Sequence, residues 1–217
     1  EFKLKIDDQN NFYMDYNTSN PDTIRVLDLR FKKDRNLNYY LMKEIDYFKG
    51  REEDSLSEED AEKLDNAILA VTPQEMFYRL VKQYQIYKLL DPTEEELKLY
   101  ENMSGEEITK ILEKSYSLQD IRRYMVVLDA MKMQSYTSYN PTTIASNISN
   151  ESAFVFMQKL NDLPGIDVQY QPVRYYPYGN IASSVIGYMS SINSTKREDY
   201  ELKGYDVITD KVGISAI

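Results

Sequence analysis

The sequence of 217 residues contains no cysteine, no histidine and no tryptophan. Without cysteine there can be no disulfide, no thiolate nucleophile and no zinc–thiolate site. Without histidine there is no imidazole ligand, no serine–histidine–aspartate triad and no histidine base. The chemistry that remains is carboxylate catalysis, a serine–lysine arrangement, or no catalysis at all.

Glycine and proline are few, with seven of each, and the sequence shows no internal repeat and no low-complexity tract. A content of 42% hydrophobic and 29% charged residues therefore predicts a packed globular core. The formal net charge of −10 disfavours a nucleic-acid partner, since phosphate binding needs a basic patch. The two acidic clusters, Glu52–Asp65 and Glu94–Glu107, are typical of solvated helix faces.

No apolar run approaches the ~20 residues needed to span a bilayer, and no signal peptide opens the chain. The sequence begins at Glu1 without an initiator methionine. We therefore expect an excised fragment, with any membrane anchor of the parent protein lying outside it.

The first part of the chain has the loose alternation of a β-hairpin. Residues Phe2 to Phe31 alternate, with Asp7-Asp8-Gln9-Asn10-Asn11 as a turn and Asn20-Pro21-Asp22 as a second turn. After Lys33-Asp34 the pattern becomes helical, and Gly50 ends the predicted helix. Its apolar face consists of Leu37, Tyr40, Leu41, Ile45 and Phe48.

A series of capping boxes predicts several short helices in the middle of the chain. The clearest is Thr72-Pro73-Gln74-Glu75, in which the threonine hydroxyl accepts from the N3 amide and the glutamate reaches back. Thr93 and Ser104 begin two similar boxes, while Ser57 and Ser117 are followed three residues later by aspartate.

Two longer helices are predicted from apolar spacing. The first begins at Leu118, and its methionine-rich stripe is interpreted as core packing, with a partner groove as the alternative; the stripe consists of Ile121, Tyr124, Met125, Leu128 and Met131. Ser149 caps the second helix, which is predicted to run through Leu160. Its predicted buried side consists of Ala153, Phe154, Met157 and Leu160.

The stretch from Leu163 to Tyr188 joins three further predicted elements. Leu163-Pro164-Gly165 stops the preceding helix, and Ile166 to Tyr176 predicts a half-buried strand in its first half. Tyr176-Pro177-Tyr178-Gly179 predicts a turn into a short helix over Asn180–Met189. Further along the chain, a final helix is predicted from Ser194 to Lys203, ending at Gly204.

The sequence signals for an active site are weak. The triplets Ser138-Tyr139-Asn140 and Ser191-Ile192-Asn193 occur without the Ser-x-x-Lys or Lys-Thr-Gly elements of penicilloyl-serine enzymes. With 36 acidic residues, some carboxylate pair always lies at a plausible catalytic separation. We therefore predict no catalytic, cofactor-binding or metal-binding residues. Tyr170, Tyr175, Tyr176 and Tyr178 form a cluster that either covers a neighbouring element or contacts a partner.

Three runs of the sequence carry a resemblance to a known family. The first run consists of three segments: Leu163-Pro164-Gly165-Ile166, Arg174-Tyr175-Tyr176-Pro177-Tyr178-Gly179, and Ser184 to Gly187-Tyr188. The second run consists of Gly204-Tyr205 with Asp210 to Ile217. The third run extends from Tyr139-Asn140-Pro141 to Ser149. Together they resemble the non-catalytic N-terminal dimerisation, or pedestal, domain of class B penicillin-binding proteins. The insert Asn36–Lys114 resembles the enlarged pedestal of elongation-type enzymes from clostridia-like Gram-positive bacteria.

The resemblance implies a parent protein that is a single-pass membrane protein with a serine-type D-Ala-D-Ala transpeptidase domain. The chain lacks the three transpeptidase motifs, so no catalytic residue is carried over. The family implies a location on the extracytoplasmic face of the cell membrane and a role in peptidoglycan biosynthesis and cell-shape maintenance. Its implied partners are a SEDS-type (shape, elongation, division and sporulation) glycan polymerase and cell-wall scaffold proteins, and a homodimer is left open.

The predicted fold class is α+β, with a small mixed or antiparallel sheet and a large helical head or insert. The predicted parts are residues 1–35 as N-terminal strands of the pedestal, 36–134 as the helical head, and 135–217 as the pedestal segment leading to an absent transpeptidase domain. The alternatives are a carboxylate-based cell-wall hydrolase and a stand-alone helical adaptor.

Individual residues of this stretch also have predicted roles. Arg174 is expected to anchor its turn through carbonyl or carboxylate contacts, with a ligand site as the alternative, and Tyr175 and Tyr178 are the candidate partner contacts. The family-motif residues are Leu163, Pro164, Gly165, Arg174, Tyr176, Pro177, Gly179, Gly187, Tyr188, Gly204, Tyr205 and Gly213.

Overall fold

The computed structural model describes residues 2–133, 141–170, 187–207 and 210–214. The chain divides into two compact units, Glu1–Ser146 and Asn147–Ile217. Within the described residues, helices and two small antiparallel sheets of two strands each confirm the predicted α+β class. The three-part division made from the sequence stays a prediction.

The first unit consists of a hairpin followed by seven α-helices in its described residues. The strands are β1 (Leu4–Ile6) and β2 (Phe12–Met14). The helices are α1 (Pro21–Lys33), α2 (Leu37–Glu44), α3 (Glu58–Ala70), α4 (Pro73–Gln83), α5 (Glu94–Asn102), α6 (Gly105–Leu112) and α7 (Leu118–Met133). Short 3-10 turns occur at Glu53–Ser55 and Ile86–Leu90.

The hairpin confirms the alternation at the start of the chain. β1 pairs with β2 in antiparallel register, with Lys5 opposite Tyr13. In the connecting turn, one Asp7 carboxylate oxygen accepts from the main-chain N–H groups of Gln9 and Asn11 at 2.9 and 2.8 Å. An aspartate that satisfies turn amides in this way fixes the turn geometry.

The alternation predicted between residues 20 and 31 is wrong, because Pro21–Lys33 forms α1. Asn20 is its N-cap and accepts from the N–H groups of Asp22 and Thr23, while Pro21 occupies the first turn. This is the usual chemistry of a helix start, and Asn-Pro was misinterpreted as a simple turn. Lys32 and Phe31 are buried, so α1 has one face in the core.

The predicted helix starts are confirmed at each box. Thr72, Thr93 and Ser104 form complete capping boxes with the glutamate three residues later. Ser57 accepts from the N–H of Asp60, and Ser117 accepts from that of Asp120. The helix after Lys33 also forms, although it ends at Glu44, and Gly50 lies in the turns beyond it with φ of +78°.

The core of the first unit joins the hairpin to the helices. Its largest fully buried side chains are Phe77, Leu4, Leu37, Leu64, Ile68, Met76, Leu80, Ile86, Ile108, Leu112, Ile121 and Met125. Core packing of the α7 stripe is therefore confirmed at Ile121 and Met125. It is wrong at Tyr124 and Met131, which are 37% and 56% exposed.

The second unit contains α8 (Asn150–Gln158), β3 (Tyr188–Ser191), α9 (Arg197–Glu201) and β4 (Lys211–Ile214) in its described residues. Ser149 caps α8 as predicted. Of the predicted buried side, Ala153 is buried, whereas Phe154 is 61% and Met157 40% exposed. The spacing gave the correct helix but the wrong face, because Phe154 to Met157 are apolar in succession and specify no single side.

Two predictions around the Leu163–Tyr188 stretch are wrong where the structure describes it. Residues 166–170 make no strand pairing, and Tyr170 is 68% exposed. The end of the helix predicted over Asn180–Met189 is instead the start of β3, which pairs with β4 in antiparallel register. The pairing partner lies more than twenty residues along the chain, so local spacing did not reveal it. The final helix forms, but only over Arg197–Glu201 after a 3-10 turn at Ser194–Lys196.

Candidate interaction site

A buried polar cluster connects α1 to the segment after the hairpin and to the α3–α4 junction. The Lys32 ammonium contacts an Asp28 carboxylate oxygen at 2.9 Å, and the Tyr16 hydroxyl donates to the other oxygen at 2.7 Å. The same ammonium donates to the main-chain carbonyls of Leu69 and Val71 at 3.3 and 2.8 Å. Burial, with the Asp28 carboxylate, raises the pKa of Tyr16 well above its usual range.

This cluster forms the floor of a groove of about 710 Å³ on the surface of the first unit. One wall is residues 13–19, which include the end of β2, and the other is residues 69–73. Ile24, Asp28 and Lys32 of α1 complete the lining. Because all three hydrogens of the Lys32 ammonium have acceptors within the protein, the cluster holds the walls together and needs no ligand to be satisfied.

A second buried cluster fastens α1 to α4 and α7. Arg35 donates from Nε and Nη2 to the two oxygens of Asp129, both at 2.7 Å, and its Nη1 donates to the Phe31 carbonyl at 2.8 Å. Tyr84 donates its hydroxyl to Asp129 at 2.6 Å. The guanidinium lies 3.6 Å from the ring centre of Phe31. Burial, with the hydrogen bond to Asp129, raises the pKa of Tyr84. The satisfied donors and acceptors make this cluster structural.

Among the described residues, the carboxyl groups with a shifted pKa differ from the acid of a glycoside hydrolase. Such an enzyme needs one carboxylic acid with a raised pKa to protonate the leaving group. In the described residues, each carboxyl group whose pKa clearly departs from its ordinary value has it lowered, through hydrogen bonds; the groups are Asp7, Glu44, Asp60, Glu75, Glu96, Glu107, Asp120 and Glu151. Across the same residues, no group of three acidic side chains is placed to hold a metal ion.

The sequence-predicted site residues that the structure describes all lie in the second unit. Leu163, Pro164 and Gly165 follow a 3-10 turn at Leu160–Asp162, and the N–H of Ile166 donates to the Leu163 carbonyl at 3.2 Å. Gly165 has φ of +86°, a conformation that favours glycine.

The two-stranded β3–β4 sheet brings three of these residues together. Gly187, with φ of +68°, immediately precedes β3. Tyr188 is the first residue of β3 and pairs with Ile214, while Gly213 pairs with Met189. These three positions therefore define the start and the register of the second sheet.

Gly204 and Tyr205 close α9 in a Schellman motif. The N–H of Tyr205 donates to the Tyr200 carbonyl at 3.0 Å and that of Gly204 to the Glu201 carbonyl at 2.9 Å. Gly204 has φ of +83°, and the rings of Tyr200 and Tyr205 meet edge to face at 5.4 Å. Both hydrogen bonds and the accompanying apolar contact are those expected of this helix ending.

The remaining predicted residues lie outside the described part of the chain: Arg174, Tyr175, Tyr176, Pro177, Tyr178 and Gly179. The anchoring role of Arg174 and the partner contacts of Tyr175 and Tyr178 stay predictions, as do the family-motif roles.

Sequence reasoning missed both buried polar clusters of the first unit. Asp28 and Lys32 are four residues apart, which is a recognisable helical ion pair, but α1 had been interpreted as extended. Arg35 and Asp129 are 94 residues apart, and no local pattern joins them.

Comparison with known protein families gives a match over most of the chain. The family model described as "Penicillin-binding Protein dimerisation domain" matches residues 40–217. The β1–β2 hairpin and α1 precede the matched residues. A search of curated proteins finds no match. None of the helices in the described ranges is both long and apolar enough to cross a bilayer.

Proposed function

The chain belongs to the family of penicillin-binding protein dimerisation domains, and we propose that it is the non-catalytic pedestal domain of a class B penicillin-binding protein. The match over residues 40–217 is the observation that carries this proposal. Domains of this family are non-catalytic and belong to membrane-anchored penicillin-binding proteins with extracytoplasmic domains.

The finer assignment is an elongation-type enzyme from a clostridia-like Gram-positive bacterium. The size of the helical first unit supports it, because seven α-helices in its described residues precede the pedestal segment that carries the motif runs. The parent would be a serine-type D-Ala-D-Ala transpeptidase on the extracytoplasmic face of the cell membrane.

In this proposal the domain holds the transpeptidase away from the bilayer and offers lateral surfaces to partners. Those partners are a SEDS-type glycan polymerase, cell-wall scaffold proteins and, in a homodimer, a second copy of the chain. Short capped helices cross-linked by two buried polar clusters support a stiff spacer, since such clusters resist relative motion of the helices they join.

Two assays on the purified chain separate this function from the catalytic alternatives. Incubation with a fluorescent β-lactam should give no covalent labelling, whereas the intact transpeptidase parent should be labelled under the same conditions. Incubation with purified peptidoglycan should release no soluble fragments. Specific labelling would contradict the non-catalytic assignment, and peptidoglycan turnover that disappears on changing one acidic residue would replace it with a cell-wall hydrolase.

A further inference from the structure

The hydrogen-bonding pattern of the β1–β2 hairpin shows which main-chain groups point outward. The N–H of Asp15 donates to the Lys3 carbonyl at 2.9 Å, so these two residues form a hydrogen-bonded pair. In an antiparallel ladder such pairs alternate with non-hydrogen-bonded ones, so Lys5 and Tyr13 also bond to each other. The main-chain N–H and carbonyl groups of the alternate residues, Leu4 and Ile6 on β1 and Phe12 and Met14 on β2, therefore point away from the partner strand.

The outer edge of β1 is covered by α7. The Arg122 Nε donates to the Leu4 carbonyl and the Gln119 side-chain amide donates to the Ile6 carbonyl, both at 2.7 Å. These two side chains occupy the carbonyl groups with which another strand would pair. Side chains that cover an edge are a common protection against strand addition.

The outer edge of β2 has no such cover within the described residues. The main-chain N–H and carbonyl groups of Phe12 and Met14 have no hydrogen-bond partner there, and the same is true of Tyr16, the next outward residue. Tyr16 is only 8% exposed, so the accessible part of this edge is Phe12 and Met14, which are half-buried. Unpaired main-chain groups at a strand edge are available to pair with another chain.

The Met14 end of this edge borders the groove described above, whereas Phe12 is not among the lining residues. Met14 and Tyr16 are part of one wall, and the facing wall offers the apolar side chains of Leu69 and Val71. The groove therefore offers main-chain partners on one side and apolar contacts on the other, which are the two requirements of strand addition.

The charge of the groove indicates which charge a bound segment should carry. Asp15, Asp28 and Lys32 are its charged lining residues. The Lys32 ammonium donates its three hydrogens to acceptors within the protein, and its positive charge compensates the negative charge of Asp28. Asp15 has no cationic partner in the described part of the chain; one of its oxygens accepts from the N–H of Asn17 at 3.1 Å. The unpaired charge at the groove is negative, as is the chain as a whole.

We propose that β2 and the groove bind an extended, lysine-bearing segment of another protein, which adds to the hairpin as a third strand. Its main chain pairs with the outward groups of Phe12 and Met14, its apolar side chains face residues 69–71, and a lysine meets Asp15. This goes beyond the proposed function, because the hairpin precedes the residues matched by the family and the binding chemistry does not depend on the parent enzyme.

The test uses the full 217-residue chain and a synthetic hexapeptide of alternating lysine and valine. Backbone amide NMR should show shifts concentrated at residues 12–16 and 69–73, with slowed hydrogen exchange at Phe12 and Met14. The amide of Tyr13, already bonded within the hairpin, should change little. No saturable shift, or shifts concentrated on another surface, would overturn the proposal.

Two variants and one control make the test specific. Met14→Pro removes an outward N–H without breaking a bond to β1, so the hairpin should survive while affinity falls about tenfold or more. Asp15→Asn keeps the acceptor for Asn17 but removes the charge, and should also weaken binding. Asp8→Asn, in the exposed turn, should have no effect.

The remaining outcomes decide the class of occupant. A hexapeptide of alternating glutamate and valine should bind much more weakly, and equal binding would overturn the charge argument. If the edge amides become protected at high protein concentration without peptide, the occupant is a second copy of the chain and the proposed partner is wrong. If Met14→Pro unfolds the hairpin, Asp15→Asn still decides the question. None of these readouts involves β-lactam labelling or polymerase binding, so failure here is distinguishable from failure of the proposed function.

Discussion

Arg35 and Asp129 form a two-pronged ion pair in which both N–O distances are 2.7 Å and both side chains are at least 94% buried. The pair joins the segment after α1 to α7, across 94 residues of sequence. Because Tyr84 of the α4 end donates to the same carboxylate, one aspartate connects three helical elements. The rigidity proposed for the first unit depends on this connection.

Replacing Asp129 should therefore be among the most damaging single changes in the first unit. Asp129→Asn leaves the Arg35 charge buried without a counter-ion, for which we expect a loss of about 3–5 kcal/mol in the free energy of unfolding. The measurement is urea-induced unfolding followed by circular dichroism.

A more exposed arginine–carboxylate pair that also makes two hydrogen bonds, through Nη1 and Nη2 instead of Nε and Nη2, provides the control. Arg79 donates to both oxygens of Glu44 at 2.8 and 2.7 Å, but the Glu44 side chain is 51% exposed. Glu44→Gln should cost about 1 kcal/mol or less. Equal losses for the two variants would show that burial of the Asp129 pair has no energetic consequence.

The close approach of α6 to α4 should make Gly105 intolerant of any side chain. A Cβ at Gly105 would lie 1.9 Å from the main-chain carbonyl oxygen of Tyr78, so the helix would have to move. Gly105→Ala should lower the free energy of unfolding by about 1–3 kcal/mol, despite the better helix propensity of alanine. Glu106→Ala, at the next and exposed position, should change it by about 0.5 kcal/mol or less. A neutral or stabilising Gly105→Ala would contradict this packing.

The capping boxes should make stability depend on pH in the acid range. Hydrogen bonds from the main-chain N–H and side chain of Thr72 lower the pKa of Glu75, and Thr93 and Ser104 act in the same way on Glu96 and Glu107. When the pKa of a carboxyl group is lower in the folded than in the unfolded chain, its ionised form stabilises the fold. This contribution to the free energy of unfolding is fully present above the unfolded-state pKa, near 4.5. That stability is lost as the pH falls through the lower folded-state pKa.

Replacing Glu75, Glu96 and Glu107 by glutamine tests whether these carboxylates cause the dependence of stability on pH. Glutamine still reaches back to the N-cap amide but does not titrate. The triple variant should therefore lose less stability between pH 6 and pH 3 than the unmodified chain in urea unfolding. A second triple variant at the exposed residues Glu52, Glu62 and Glu95 is the control. Identical pH profiles for the capping variant and the unmodified chain would refute the prediction.

Local signals in the sequence were sufficient for the helix starts but not for the tertiary connections. Thr72 and Glu75 are three residues apart, and their geometry follows once a helix begins between them. Arg35 and Asp129 become neighbours only after the whole first unit is folded, so their pairing has no sequence signature. The same limit applies to β3, whose partner strand begins at Lys211.

Ambiguous periodicity explains the other errors. Asn20-Pro21 is compatible with a turn or with an N-cap followed by a first helical residue, and the tertiary environment of Phe31 and Lys32 decides for α1. In α8, four successive apolar residues fit any helical face. In the candidate site, the groove arises from the hairpin end and the α3–α4 junction, which are separated by more than fifty residues, so the sequence alone did not reveal it.

The most direct test of the proposed function is the binding of this chain to a SEDS-type glycan polymerase from the same genome. The polymerase is reconstituted in lipid nanodiscs, and binding of the purified chain is measured by biolayer interferometry, with empty nanodiscs as the control. The account predicts saturable binding to the polymerase nanodiscs alone. Equal signals from empty and polymerase-containing nanodiscs would contradict it.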